Sequence, residues 1–142
     1  MTRPRVLYLC TGNSARSQMA EGLLRDRAGD RFEAYSAGLE PTRVHPMAVA
    51  AMAEIGVDIS GQRSKSLAEY LGKESFGFLI TVCDHAAANC PVFPGSAERL
   101  HWSLADPAAA EGSDEERMAA FRRARDSLAA LIDAFLAERQ SR

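Results

Sequence analysis

The stretch Phe76-Gly-Phe-Leu-Ile-Thr-Val82 does most to narrow the folds open to this chain. A near-continuous apolar run is the pattern of a strand covered on both faces, and such strands belong to parallel sheets flanked by helices. Val6–Leu9 reads as another buried strand, Phe32–Tyr35 as a short one and Arg99–Trp102 as a weaker one. Helical patterns lie between them. Ser17–Arg27 has Met19, Leu23 and Leu24 facing inward, with Gly29 to end it. Pro46 opens a second helix, with Met47, Val49, Met52 and Ile55 as apolar positions and Gly56 as its stop. Ser66–Leu71 predicts one more short helix. Ser113 with Glu116 matches a capping box that starts a long terminal helix. Met118, Phe121, Leu128, Ile132 and Phe135 fall mostly at three- and four-residue steps, with one seven-residue gap at Arg125. The Arg and Glu residues of this helix read as its solvated face.

Strands alternating with helices imply βαβ units with right-handed crossovers. The expected fold class is therefore α/β: a single domain over residues 1–142, with a parallel four-stranded sheet and helices on both faces. At 142 residues the chain is long enough to bury one proper core. A net charge of −2 argues against a nucleic-acid surface, so any anion affinity has to be local. The apolar run near Met1 is too short for a signal peptide, and no run approaches the ~20 apolar residues of a membrane span. Three cysteines are too few, and odd in number, for a secreted disulfide framework. The expectation is a cytoplasmic protein, with nothing that requires a dimer.

Ligands of parallel sheets bind at the carboxyl ends of the strands. Three groups fall there: Cys10 after the first strand, Cys83 after the Phe76–Val82 strand, and Asp106-Pro107 after Arg99–Trp102. Cys10-Thr-Gly-Asn-Ser-Ala-Arg16-Ser17 joins a strand to a helix start. Backbone N–H groups of Thr11, Gly12, Asn13, Ser14, Ala15 and Arg16 can turn inward there, and the helix N-terminus adds its positive end. Arg16 adds a planar fork suited to a tetrahedral oxyanion, and Ser17 can donate to the sulfur of Cys10. The arrangement is that of a thiolate nucleophile beneath an oxyanion cradle. Asp106 is the natural proton source for a leaving oxygen. An ordinary Asp-Pro turn is an equally good reading of spacing alone.

Cys83 and Cys90 enclose Asp84-His85-Ala86-Ala87-Ala88-Asn89, with Pro91 next. Ala86–Ala88 favour a helix, whereas Pro91 disfavours helical geometry at Cys90. Seven helical steps would separate the two cysteines by about 10 Å, beyond the roughly 7 Å that a disulfide tolerates between α-carbons. Closing the bond would unwind the segment, which is cheap at this length. Two other readings stand beside a conditional disulfide: a zinc site drawn from Cys83, His85, Cys90 and His101, and incidental core cysteines.

With these motifs in view, the chain resembles the thioredoxin-coupled arsenate reductases of the low-molecular-weight tyrosine phosphatase fold. The resemblance runs through Cys10–Gly22, Tyr35-Ser-Ala-Gly38, Ile80-Thr-Val-Cys83, Asn89-Cys-Pro91, His101-Trp102 and Asp106-Pro107. It implies a flavodoxin-like strand order. It further implies that Cys10 attacks arsenate held by the loop and Arg16, while Asp106 protonates the departing oxygen. Cys83 would then release arsenite by forming a disulfide with Cys10, and Cys90 would transfer that bond to Cys83–Cys90 for reduction by thioredoxin. No cofactor and no metal are implied for the relay. Members often carry a further cysteine where this chain has Ala15. Some bind potassium through residues matching Asn13, Glu21 and Ser36, where Lys65 here puts a fixed positive charge. A phosphatase of the same fold would use Cys10, Arg16 and Asp106 alike and have no need of Cys83 or Cys90. A non-catalytic oxyanion or redox sensor is the remaining alternative.

Overall fold

The computed structural model describes residues 3–70, 73, 75–90 and 98–139. Four strands form one parallel sheet: β1 (Arg5–Cys10), β2 (Glu33–Gly38), β3 (Phe78–Thr81) and β4 (Glu98–His101). Their order is β2-β1-β3-β4, the order the resemblance implied. The helices are α1 (Arg16–Ala28), α2 (Pro46–Ala53), α3 (Asp84–Asn89) and α4 (Asp114–Glu138).

Alternation along β3 shows how both faces are covered. Phe78 meets Phe135 of α4 at 5.1 Å between ring centres, whereas Leu79 and Thr81 line a groove with Ala87 and Cys90 on the α3 side. On the α4 side, Tyr8 packs on Trp102 and Phe32 on Phe135. Val6, Leu7, Tyr8, Leu9 and Ile80 are wholly buried, as two-sided coverage requires. The capping box at Ser113 is present, with its side chain accepting from Glu116 N–H.

Several local expectations shift. β2 runs on through Ser36-Ala37-Gly38 because β1 supplies its whole hydrogen-bonding edge, overriding the weak strand propensity of small residues. The Ser66–Leu71 helix shrinks to a single 3-10 turn at Leu67–Glu69, and Leu71 itself lies outside the described residues. The inward face of α2 is Ala48, Ala51 and Met52; Ile55 lies beyond the helix and is exposed. Arg125 is not on a solvated face. It fills the gap in the apolar pattern of α4, is buried, and donates to the Ala51 carbonyl and the Glu54 carboxylate.

Candidate active site

Register alone brings two of the three cysteines together. Leu9 pairs with Thr81, and the Val82 N–H donates to the Leu9 carbonyl at 2.9 Å. Continuing that register sets Cys10 beside Val82 and Cys83 beside Thr11. The side chains agree, with Thr11 Oγ1 and Cys83 Sγ 3.5 Å apart. Both sulfurs are buried thiols.

The loop between β1 and α1 is shaped from outside. Carbonyls of Cys10, Thr11, Gly12 and Ser14 accept from the N–H groups of Leu39, Glu40, Thr42 and His45. The Asn13 carbonyl accepts from Ser64 Oγ and Gln18 Nε2, and that of Ala15 from Met19 N–H in the first turn of α1. In a trans peptide the N–H of the next residue points opposite to the carbonyl. Six consecutive carbonyls tied to surrounding partners therefore turn the N–H groups of Thr11 to Arg16 toward the concavity. Ala15, the residue before α1, has no side chain able to cap that helix, so its first N–H groups also face the loop. Asn13 makes the tightest bend with a φ of 48°, a left-handed conformation asparagine tolerates.

One unambiguous donor orients a buried chain of protons. The Lys65 backbone N–H donates to Asn13 Oδ1 at 2.9 Å, so the amide nitrogen of Asn13 must face the other way. That nitrogen donates to Ser17 Oγ at 2.8 Å, and Ser17 Oγ lies against Cys10 Sγ, also at 2.8 Å. Gln18 is held by Gln62 through its own carbonyl and spends its amide protons on Asn13 and Arg63. The Ser17 hydroxyl is thus held against the Cys10 sulfur, within reach to donate to it.

Arg16 is mostly buried, donates from Nη1 to the Leu104 carbonyl at 2.9 Å, and lies 4.0 Å through Nη2 from Asp106 Oδ2. The turn reading of Asp106 is present in the structure, and the same carboxylate also approaches the loop. One oxygen caps the turn after it, accepting from Ala108 N–H at 3.0 Å, while the other approaches Arg16 beside the loop. His45 stands at the rim as the cap of α2, its ring on Phe121. Burial, aided by Arg117 and Arg43, holds its imidazole below the usual range, with Asp106 opposing.

The segment between Cys83 and Cys90 is helical, with the Cys83 sulfur accepting from Ala86 N–H at its start and Cys90 just past its end. Cys90 is half-buried, and burial pushes its thiol up, with Arg99 opposing. Pro91 lies outside the described residues. The zinc alternative finds no support: among the described residues no three His, Cys, Asp or Glu side chains converge as a metal site. His101 bonds instead to Thr81 and Asp84.

Near Asn13, the Lys65 ammonium lies 3.5 Å from both Glu21 Oε1 and Ser36 Oγ and donates to the Arg63 carbonyl at 2.8 Å. Arg25 and Ser36 complete the partners of Glu21. Sequence reasoning placed Lys65 correctly in this neighbourhood. It missed Gln18, Gln62, Ser64 and the strap Leu39–His45. The strap acts through backbone groups and leaves no side-chain signal, whereas Gln18, a polar residue on the buried side of α1, was a readable one.

A cysteine loop on the carboxyl edge of a four-stranded parallel sheet is the plan of one family. Residues 5–141 match the low molecular weight phosphotyrosine protein phosphatases, and the chain belongs to that family. Among its relatives, an arsenate reductase from Halalkalibacterium halodurans is 48% identical over 135 residues, covering 95% of this chain and 96% of that one. A solved arsenate reductase in its oxidized state superposes with a TM-score of 0.81 at 31% identity, over 95% of this chain and 98% of the other. A thioredoxin-dependent arsenate reductase from Corynebacterium glutamicum has a TM-score of 0.68 and 28% identity, covering 96% of this chain and 63% of that one.

Proposed function

We propose that this chain is an arsenate reductase that works by a three-cysteine relay and is recycled by thioredoxin. The observation that carries the reading is the Cys83 sulfur, 3.5 Å from Thr11 of the oxyanion loop, with the third cysteine closing the same short helix. A phosphatase of this fold needs no thiol there.

The chemistry balances with the residues present. The N–H groups of Thr11 to Arg16 and the guanidinium of Arg16 hold arsenate. The Cys10 thiolate attacks arsenic, and an oxygen leaves as water with a proton from Asp106. The Cys83 thiolate then attacks the Cys10 sulfur. A Cys10–Cys83 disulfide forms, the sulfur–arsenic bond breaks, and its electron pair stays on arsenic as arsenite. The Cys90 thiolate attacks the Cys83 sulfur, freeing Cys10 and leaving Cys83–Cys90. Thioredoxin's dithiol reduces that bond.

The last transfer needs α3 to unwind, because six helical residues hold the two cysteines about 10 Å apart along the axis. A helix this short has little intrinsic stability, so unwinding costs little. We read the protein as a monomer of the cytoplasm, where thioredoxin is kept reduced. Slow hydrolysis of aryl phosphates is expected alongside, since phosphate has the shape of arsenate.

The test is NADPH oxidation with thioredoxin, thioredoxin reductase and arsenate. Turnover should be abolished by Cys83→Ser and by Cys90→Ser, while Cys90→Ser still releases one equivalent of arsenite. Silence in that assay, with brisk aryl phosphate hydrolysis kept by both variants, would make the chain a phosphatase.

A further inference from the structure

The relay requires one end of α3 to travel while the other stays by the oxyanion loop. The start of α3 carries a side-chain tether that bears on which end travels. Asp84, the first residue of α3 and the neighbour of Cys83, has a side chain that is 80% exposed, yet it is tied to the sheet. Its Oδ1 accepts from His101 Nε2 and from Ser103 Oγ, each at 2.9 Å. The other nitrogen of His101 lies 2.7 Å from Thr81 Oγ1. A chain of side-chain hydrogen bonds thus joins the last residue of β3, the end of β4 and the start of α3. His101 and Ser103 hold the Asp84 carboxyl below its usual range, with Arg16 contributing, so it accepts only and His101 Nε2 must carry the proton. At the other end, Asn89 turns back on its own helix, its amide donating to the His85 carbonyl at 2.8 Å. Cys90 itself borders a groove of about 200 Å³ with Leu79, Thr81 and Arg99, which is room for the chain to move.

We propose that His101 and Ser103 are positioning residues for the thiol transfer. Through Asp84 they rivet the start of α3, so that Cys83 stays opposite Thr11 while unwinding runs from the Cys90 end. Their hydrogen bonds run to Asp84 and Thr81 rather than to the oxyanion loop. This rests on the relay proposed above, and its test separates the two.

The parent for the experiment is Cys90→Ser, which stops after one arsenite and a Cys10–Cys83 disulfide. If that parent yields no such disulfide, the relay fails and the rivet falls with it, before His101 is touched. In the parent background, His101→Leu and Ser103→Ala should each slow the single burst of arsenite about fivefold, the effect of a partly exposed charged contact of about 1 kcal/mol. His101→Gln, which keeps a donor near the Nε2 position, should restore most of the rate. Aryl phosphate hydrolysis, which does not use Cys83, should stay at the parental value in all three. With Cys90 intact, the Cys83–Cys90 potential should also be unmoved by His101→Leu, because the rivet holds in both redox states. An unchanged burst rate would overturn the proposal. So would a shifted potential, which would mean that the contact serves the reduced helix rather than the place of Cys83.

Discussion

Replacing Gly38 with alanine would test whether the oxyanion loop is held to a fraction of an ångström by the end of β2. A β-carbon on Gly38 would lie 2.6 Å from the Thr11 carbonyl oxygen and 2.8 Å from the Asn13 nitrogen. Both are backbone atoms of the loop, so no side chain can swing aside. Relief requires the loop to move by roughly 0.7 Å, and a misplacement of about 1 Å can cost 10²-fold in rate. The expected loss in kcat/KM is between about 10- and 100-fold, or about 1.4–2.7 kcal/mol of transition-state stabilisation. Overpacking should also lower stability by about 1–3 kcal/mol. Gly22→Ala is the control. Its β-carbon would meet Ile59 Cγ2 at 2.5 Å, a comparable collision with a core side chain rather than with the loop. The assays are aryl phosphate hydrolysis, arsenate turnover and thermal melting with and without phosphate. Gly22→Ala should melt early and keep its kcat/KM, while Gly38→Ala should lose both activity and the rise in Tm with phosphate. Equal loss of activity in the two variants would refute the reasoning, as would wild-type kcat/KM in Gly38→Ala.

Three further outcomes are expected. Lys65→Met should destabilise the fold by about 3 kcal/mol in chemical denaturation, the low end for breaking a buried pair, since Arg25 remains on Glu21. Burial holds the Lys65 ammonium below its ordinary 10.5. The unfolded chain therefore binds more protons than the native one just below that pH, and the wild-type margin over Lys65→Met should widen as pH rises toward 10.5. Glu54 is held down to about 2 by Arg122 and Arg125, so its contribution is full above its ordinary 4.5 and fades as pH falls toward 2; Glu54→Gln should flatten the acid unfolding profile across that window. Tyr8→Phe should stabilise the protein by about 1 kcal/mol in the same measurement, because the buried Tyr8 hydroxyl has no hydrogen-bond partner among the described residues.

What the sequence made legible divides along a physical line. The buried strands, the cysteine loop and the capping box each depend on local pattern, and all of them stand close to where Phe76–Val82, Cys10–Ser17 and Ser113–Glu116 put them. The α2 face held only at Met52, because Ala48 and Ala51 take the buried positions where two helices approach closely. Arg125 failed because nothing local announces that Ala51 and Glu54 will come to it from another helix. The hydrogen-bond chain through Asn13, Gln18 and Lys65 ties the loop and the start of α1 to a residue 52 positions from Asn13, so no spacing rule reaches it. Asp106 was ambiguous in sequence for a sound reason, since its carboxylate both caps a turn and approaches Arg16.

Of the two sulfurs nearest the oxyanion loop, one ends β1 and the other follows β3 by two residues, and hydrogen-bonded strands keep a spacing of about 4.8 Å whatever side chains they carry. Peptide hydrogen bonds thus act as a ruler between Cys10 and Cys83, one that side-chain drift cannot recalibrate. The third sulfur is on no such ruler. It closes a segment of only six helical residues, so under the proposed relay the labour divides between a fixed gauge and a disposable spring. On that proposal, changes in α3 would retune how fast the chain resets without disturbing where the first bond is made.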